Sequence, residues 1–181
     1  MSGSAFTVPE KVSFESAIAL TQSLLSQMQA GELSEAEIET AIAELVKSEN
    51  GARGFFVTYL TSEGTIADNP SAAVIRALQS NPDTVSELLV KNVAMSAVMA
   101  VAHHRNGNEE MAQSSQRVRS RTTRIIEQVE LPSVYEVSQK LLESAVTGEG
   151  SYKAFLERRG YDSEQRQVLS EALEQLIKRN G

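Results

Sequence analysis

The chain has 181 residues, 41% of them apolar and 23% charged, with a formal net charge of −7 and no cysteine. That length suits one large domain or two small ones, and it buries roughly 70% of the unfolded surface, so a core needs no metal or disulfide staple. The lack of cysteine excludes disulfides, thiolate nucleophiles, thiolate-held zinc and iron–sulfur clusters, and the acidic balance argues against a general nucleic-acid coat.

Residues 1–7 show neither the basic nor the apolar region of a secretion signal. Residues 1–12, with Pro9, read as a flexible N-terminal tail ahead of a single α-helical domain over 13–181. Ser13 opens a first helix expected to reach about Ala30. Phe14, Ala17, Ile18, Thr21, Leu24, Leu25 and Met28 recur in it at helical spacing, and Gly31 suits a left-handed cap. Ser34 and Glu37 have the spacing of a capping box. They begin a second helix with an inner stripe of Ile38, Ile42, Leu45 and Val46 and an expected end at Asn50-Gly51. Its six nearby glutamates (Glu32, Glu35, Glu37, Glu39, Glu44 and Glu49) mark a solvated face.

Residues 54–61 carry strand propensity, yet Phe55, Phe56, Tyr59 and Leu60 also fit one helical face. A lone strand has nothing to pair with here, so helix is expected. Asn69-Pro70 and Asn81-Pro82 each offer an N-cap followed by proline at the first helical position. The first should open a short helix with Val74, Ile75 and Leu78. The second should open a long one over about 82–104, apolar almost all round. A helix apolar on every face is normally buried on every face, so this one is expected to be the central core helix.

Asn106-Gly107-Asn108 breaks the chain, and a helix is expected over 109–130, ended by Leu131-Pro132. Ser133 and Glu136 have capping-box spacing ahead of Val134, Val137, Leu141, Leu142 and Val146. Short and long helices then follow, carrying Tyr152, Phe155 and Leu156, and Val168, Leu169, Leu173, Leu176 and Ile177. The whole is an all-α bundle of about eight helices without an internal repeat. The best internal boundary is the stretch 63–69.

Candidate chemistry is sparse. His103 and His104 are adjacent and so point about 100° apart on a helix, whereas a shared metal wants partners three or four residues apart. Asn92, Ser96 and His103 fall near one line of the long helix. They suggest a polar pocket, against the plainer reading of an internally satisfied network. Gly51-Ala52-Arg53-Gly54 and the glycines near 148–150 read as caps and turns rather than phosphate loops. No two carboxylates are singled out as an acid–base pair.

The strongest surface feature is Arg117, Arg119, Arg121 and Arg124. Arg117, Arg121 and Arg124 follow helical spacing on one face, with Arg119 on the other flank. Arginine forks suit carboxylates and phosphates. The stripe either balances acidic groups within the molecule or binds a ligand.

These features lead to an expectation of a non-catalytic helical protein that binds another protein or a second copy of itself. No cofactor, catalytic residue or metal site is expected. Anion or nucleic-acid binding through the 109–130 helix is the alternative, and an enzyme or ligand pocket around His103 is the third. Nucleic acid is not expected as a partner, since tryptophan is absent and only nine Phe and Tyr are present. The longest apolar run, 88–102, is interrupted by Lys91 and Asn92 and falls short of the ~20 residues that span a bilayer. A cytoplasmic protein with no membrane span is the default expectation.

Overall fold

The computed structural model describes residues 7–180. The protein is all-α. Among the described residues there are nine α-helices, one 3-10 turn and no strand. The chain divides into two compact units, 1–88 and 89–181, and the division falls inside one long helix.

The first unit holds α1 (Phe14–Gln29), α2 (Glu35–Val46), α3 (Glu49–Leu60), the 3-10 turn Ile66–Asp68 and α4 (Ala72–Gln79). Part of the expected tail, residues 1–6, lies outside the described residues. The part over 7–12 is not helical, but Val12 is buried at 5% exposure and anchors it. Ser13 caps α1, its Oγ accepting from the Ser16 amide at 3.0 Å. Ser34 and Glu37 form the reciprocal box in front of α2, at 3.1 and 3.0 Å.

α3 begins at Glu49, earlier than the sequence spacing suggests, because Ser48 caps it by accepting from the Gly51 amide at 3.1 Å. Gly51-Ala52-Arg53-Gly54 therefore lies within a helix and not in a turn. Gly54 is where α1 crosses α3. A Cβ there would collide with the Ala17 Cβ and stand 2.9 Å from the Phe14 carbonyl oxygen, so only glycine lets the backbones approach this closely. Phe55, Phe56 and Tyr59 are buried on α3. Phe55 stacks on Tyr59 at 5.0 Å and meets Phe56 edge-on at 5.3 Å. α2 packs against both α3 and α4.

Of the two Asn-Pro pairs, Asn81-Pro82 opens its helix as expected, with Pro82 the first residue of that helix and the Val85 amide donating to the Asn81 carbonyl at 3.1 Å, whereas Asn69-Pro70 does not. α4 starts two residues after Pro70, with Ser71 Oγ accepting from the Val74 amide. The Asn81 side-chain Nδ2 also donates to the carbonyls of Val46 (2.9 Å) and Lys47 (3.4 Å), and so satisfies the open C-terminus of α2.

α5 (Pro82–Arg105) spans the division between units. Val85, Leu89, Val90, Val93, Ala94, Ala97 and Val98 are buried. The expectation of burial on every face needs correction. Met99 is 42% exposed, while Leu88, Met95 and Val101 are partly exposed. By length and mean hydropathy (1.5 over its best window) α5 could cross a bilayer, but half of that window is buried inside the protein, as in a core helix.

The second unit continues with α6 (Glu109–Val129), α7 (Pro132–Thr147), α8 (Lys153–Arg159) and α9 (Ser163–Asn180). α5 ends in a glycine-closed turn. The Asn108 amide donates to the His103 carbonyl at 2.8 Å and Gly107, at φ 70°, donates to the His104 carbonyl. Asn108 then caps α6. Ser133 and Glu136 do not form the expected capping box, because α7 already begins at Pro132 with Leu131 as its N-cap. Proline at the first position leaves one fewer amide to satisfy. α7 packs against α9, and α8 against α7.

Candidate functional site

α6 is amphipathic, and its inward face is set by Thr122, Ile125, Ile126 and Val129, all buried. At 100° per residue, Arg119 and Arg121 lie about 160° apart and flank that face on opposite sides. The four arginines consequently differ. Arg117 and Arg124 are exposed, Arg119 is half-buried, and Arg121 is buried at 3% exposure. A stripe of Arg117, Arg121 and Arg124 on one exposed face, as the spacing suggested, is not what the fold presents. Neither Arg121 nor Arg124 is a free cation.

Arg119 and Arg124 instead turn towards α9. Together with Ser120, Thr123 and Glu127 they form one wall of a groove of about 370 Å³. Gln175 and Arg179 of α9 form the other. Buried Val93, Ala172 and Leu176 supply an apolar base. Arg119 Nη2 donates to Gln175 Oε1 at 3.3 Å, and Arg179 Nη1 pairs with Glu127 Oε1 at 3.0 Å. Thr123 Oγ1 is occupied by the Arg119 carbonyl at 2.8 Å. Three guanidinium groups and the Glu127 carboxylate thus line one groove, in a chain that is acidic as a whole. Such a groove can hold an anionic group through forked hydrogen bonds.

The other candidate residues lie elsewhere. Ser96 is 7% exposed and its Oγ bonds back to the Val93 carbonyl at 3.1 Å, the local bond that a serine within a helix often makes. Asn92 and His103 are half-buried, and neither they nor Ser96 line the groove. His104 Nδ1 lies 2.6 Å from Glu109 Oε1 across the α5–α6 turn, with both side chains exposed. Among the described residues no group of three His, Asp or Glu side chains is placed to hold a metal ion.

Sequence reasoning found two of the groove's arginines but missed Glu127, Gln175 and Arg179. The basic residues closing α9 were visible as a signal, but their meeting with α6 depends on a pairing between positions more than fifty residues apart.

The model of the family described as Uncharacterised conserved protein UCP020893 matches residues 13–176. The chain belongs to that family. In this family member the match takes in α1 to α8 and most of α9, and every groove residue except Arg179. No curated protein and no solved structure matches the chain.

Proposed function

We propose that this is a non-catalytic interaction protein that holds an acidic segment of a partner protein in the α6–α9 groove. The observation that carries this reading is the gathering of Arg119, Arg124 and Arg179 around one cavity in a chain of net charge −7. Arginine stays protonated throughout the range in which proteins work. Its planar fork matches a carboxylate with two parallel bonds. A guanidinium-lined groove therefore suits recognition better than proton transfer. The exposed apolar side chains Met99, Met111 and Val146 stand on three different helices, α5, α6 and α7, so charge rather than hydrophobic area is the basis of the proposal. A soluble protein of a reducing compartment such as the cytoplasm fits the cysteine-free composition.

The test is affinity capture from native lysate with the wild-type chain and the double variant Arg119→Glu/Arg124→Glu, with helical content checked by circular dichroism. The expected result is a protein retained by the wild type and lost by the folded variant. Identical capture by both would overturn the reading.

A further inference from the structure

The three groove arginines are not equivalent. Arg119 is half-buried, backed by the apolar base of Val93, Ala172 and Leu176, and bonded to the neutral amide of Gln175 at the long distance of 3.3 Å. Arg179 already holds a carboxylate, that of Glu127, at 3.0 Å. The side chains of that pair are 57% and 55% exposed, and an exposed pair of this kind is weak and opens readily.

Glu127 and Arg179 line the same cavity as Arg119. The Glu127 carboxylate therefore occupies one of the positions that an incoming anion would take, and shows which chemistry the position accepts. We infer that the groove binds paired carboxylates of an acidic peptide, with Arg119 as the anchor and Glu127 as a built-in competitor that holds Arg179 until the ligand displaces it. This rests on the reading of the groove as an interaction surface.

The chemistry favours a carboxylate ligand over phosphate. A displaced Glu127 remains tethered at the groove wall, and it repels two charges held on one phosphate group more strongly than two carboxylates of which one lies away from it, at Arg119. An acidic peptide can divide its charges between Arg119, near the apolar base, and Arg179, towards solvent. Arg119 provides the stronger bond, because it offers its charge from partly desolvated surroundings and gives up only a neutral partner. Ligand binding at Arg179 exchanges one carboxylate for another, which contributes little affinity but sets a threshold. A single weak acid does not displace Glu127, whereas a peptide held at Arg119 presents its second carboxylate at high effective concentration.

The probe is a fluorescently labelled hexaglutamate peptide, titrated at low salt against the full chain. Glu127→Gln should tighten binding by about two- to fivefold, the range expected for removing an exposed pair. Arg119→Ala should weaken it by about tenfold. In an Arg179→Ala background the gain from Glu127→Gln should vanish, because the competitor acts only through Arg179. Thermal melts of each variant separate these effects from loss of fold. Equal affinity for wild type and Glu127→Gln, with binding still lost in Arg119→Ala, would overturn the competitor role while leaving the groove as the interaction surface. Persistence of the gain in the Arg179→Ala background would overturn it too. If inorganic phosphate displaces the peptide far more effectively than acetate does, the site is a phosphate site and the inference fails. No binding of hexaglutamate to any variant refutes the carboxylate ligand, and the capture experiment then judges the interaction reading separately.

Discussion

Arg119 and Arg121 stand two residues apart on α6, yet one faces a groove and the other is buried at 3% exposure. The difference follows from helical geometry, since two steps of 100° carry a side chain from one flank of the apolar face to the other. Burying a guanidinium costs desolvation energy, and the cost is offset only by partners. Arg121 has such a partner. Replacing it strands that partner and removes a side chain whose stem packs in the interior. Arg121→Ala should therefore cost about 1–3 kcal/mol in denaturant unfolding, whereas Arg117→Ala, on the exposed face, should stay within about 0.5 kcal/mol. Equal and small effects from both would show that Arg121 carries no structural role. The sequence told the four arginines apart only by spacing. Which of them is buried was not legible, because Arg117, Arg121 and Arg124 recur at a spacing that suits an exposed stripe as well as the edge of a buried face.

At the scale of elements, the helices were legible wherever local chemistry determines them. Ser13 and the Ser34–Glu37 box start their helices as expected, since each cap closes on amides two or three residues away. The failures occur where a neighbour takes the cap position, as Ser71 does ahead of α4 in place of Asn69 and Leu131 does ahead of α7 in place of Ser133. Pro82 begins α5 as expected, and the Asn81 side chain ties that start to the carbonyls of Val46 and Lys47. α9 carries a box that spacing alone did not single out. Asp162 Oδ1 accepts from the Gln165 amide at 2.8 Å, and Gln165 Oε1 accepts from the Asp162 amide at 2.9 Å. Arg105, from the end of α5, reaches Asp162 at 3.3 Å and Glu164 at 2.6 Å. The Gln165 amide bond first, with help from the Arg105 guanidinium, holds the Asp162 carboxyl below its ordinary value. Glu37 is held low in the same manner by the Ser34 amide. A carboxyl with a depressed folded-state value lends stability above its unfolded value, near 3.8 for Asp162, and this is lost as pH falls through the folded value. Asp162→Asn keeps an acceptor for the cap but loses the charge. The variant should melt below the wild type at neutral pH, and the gap should close as the medium is acidified through the carboxylate range. Melting curves across that range check this, and a gap that stays constant would remove charge as its cause.

For the whole molecule, 24 acidic side chains outnumber 17 basic ones, so its overall charge repels polyanions even though three arginines gather at the α6–α9 groove. The all-α class was legible because helical periodicity runs through nearly every segment. The groove was not, because it needs Arg119 and Gln175, 56 residues apart, to meet. This balance of charge sets the last prediction, concerning nucleic acid. A duplex engaging all three groove arginines would neutralise about three phosphates, which limits the slope of log K against log salt to roughly −3. Stacking would have to supply what charge does not. The chain lacks tryptophan, and among the described residues no aromatic side chain lines the groove. Phe55, Phe56 and Tyr59 are sealed in the core, and Tyr152 and Phe155 already face Lys91 at 5.5 and 4.8 Å. Fluorescence anisotropy with duplex DNA and single-stranded RNA should therefore show weak binding at low salt and none at physiological salt. Binding that survives physiological salt, with a slope much steeper than three contacts allow, would require a second basic surface beyond the groove. If Arg119→Glu/Arg124→Glu also abolished it, nucleic acid would replace an acidic protein as the ligand of this face.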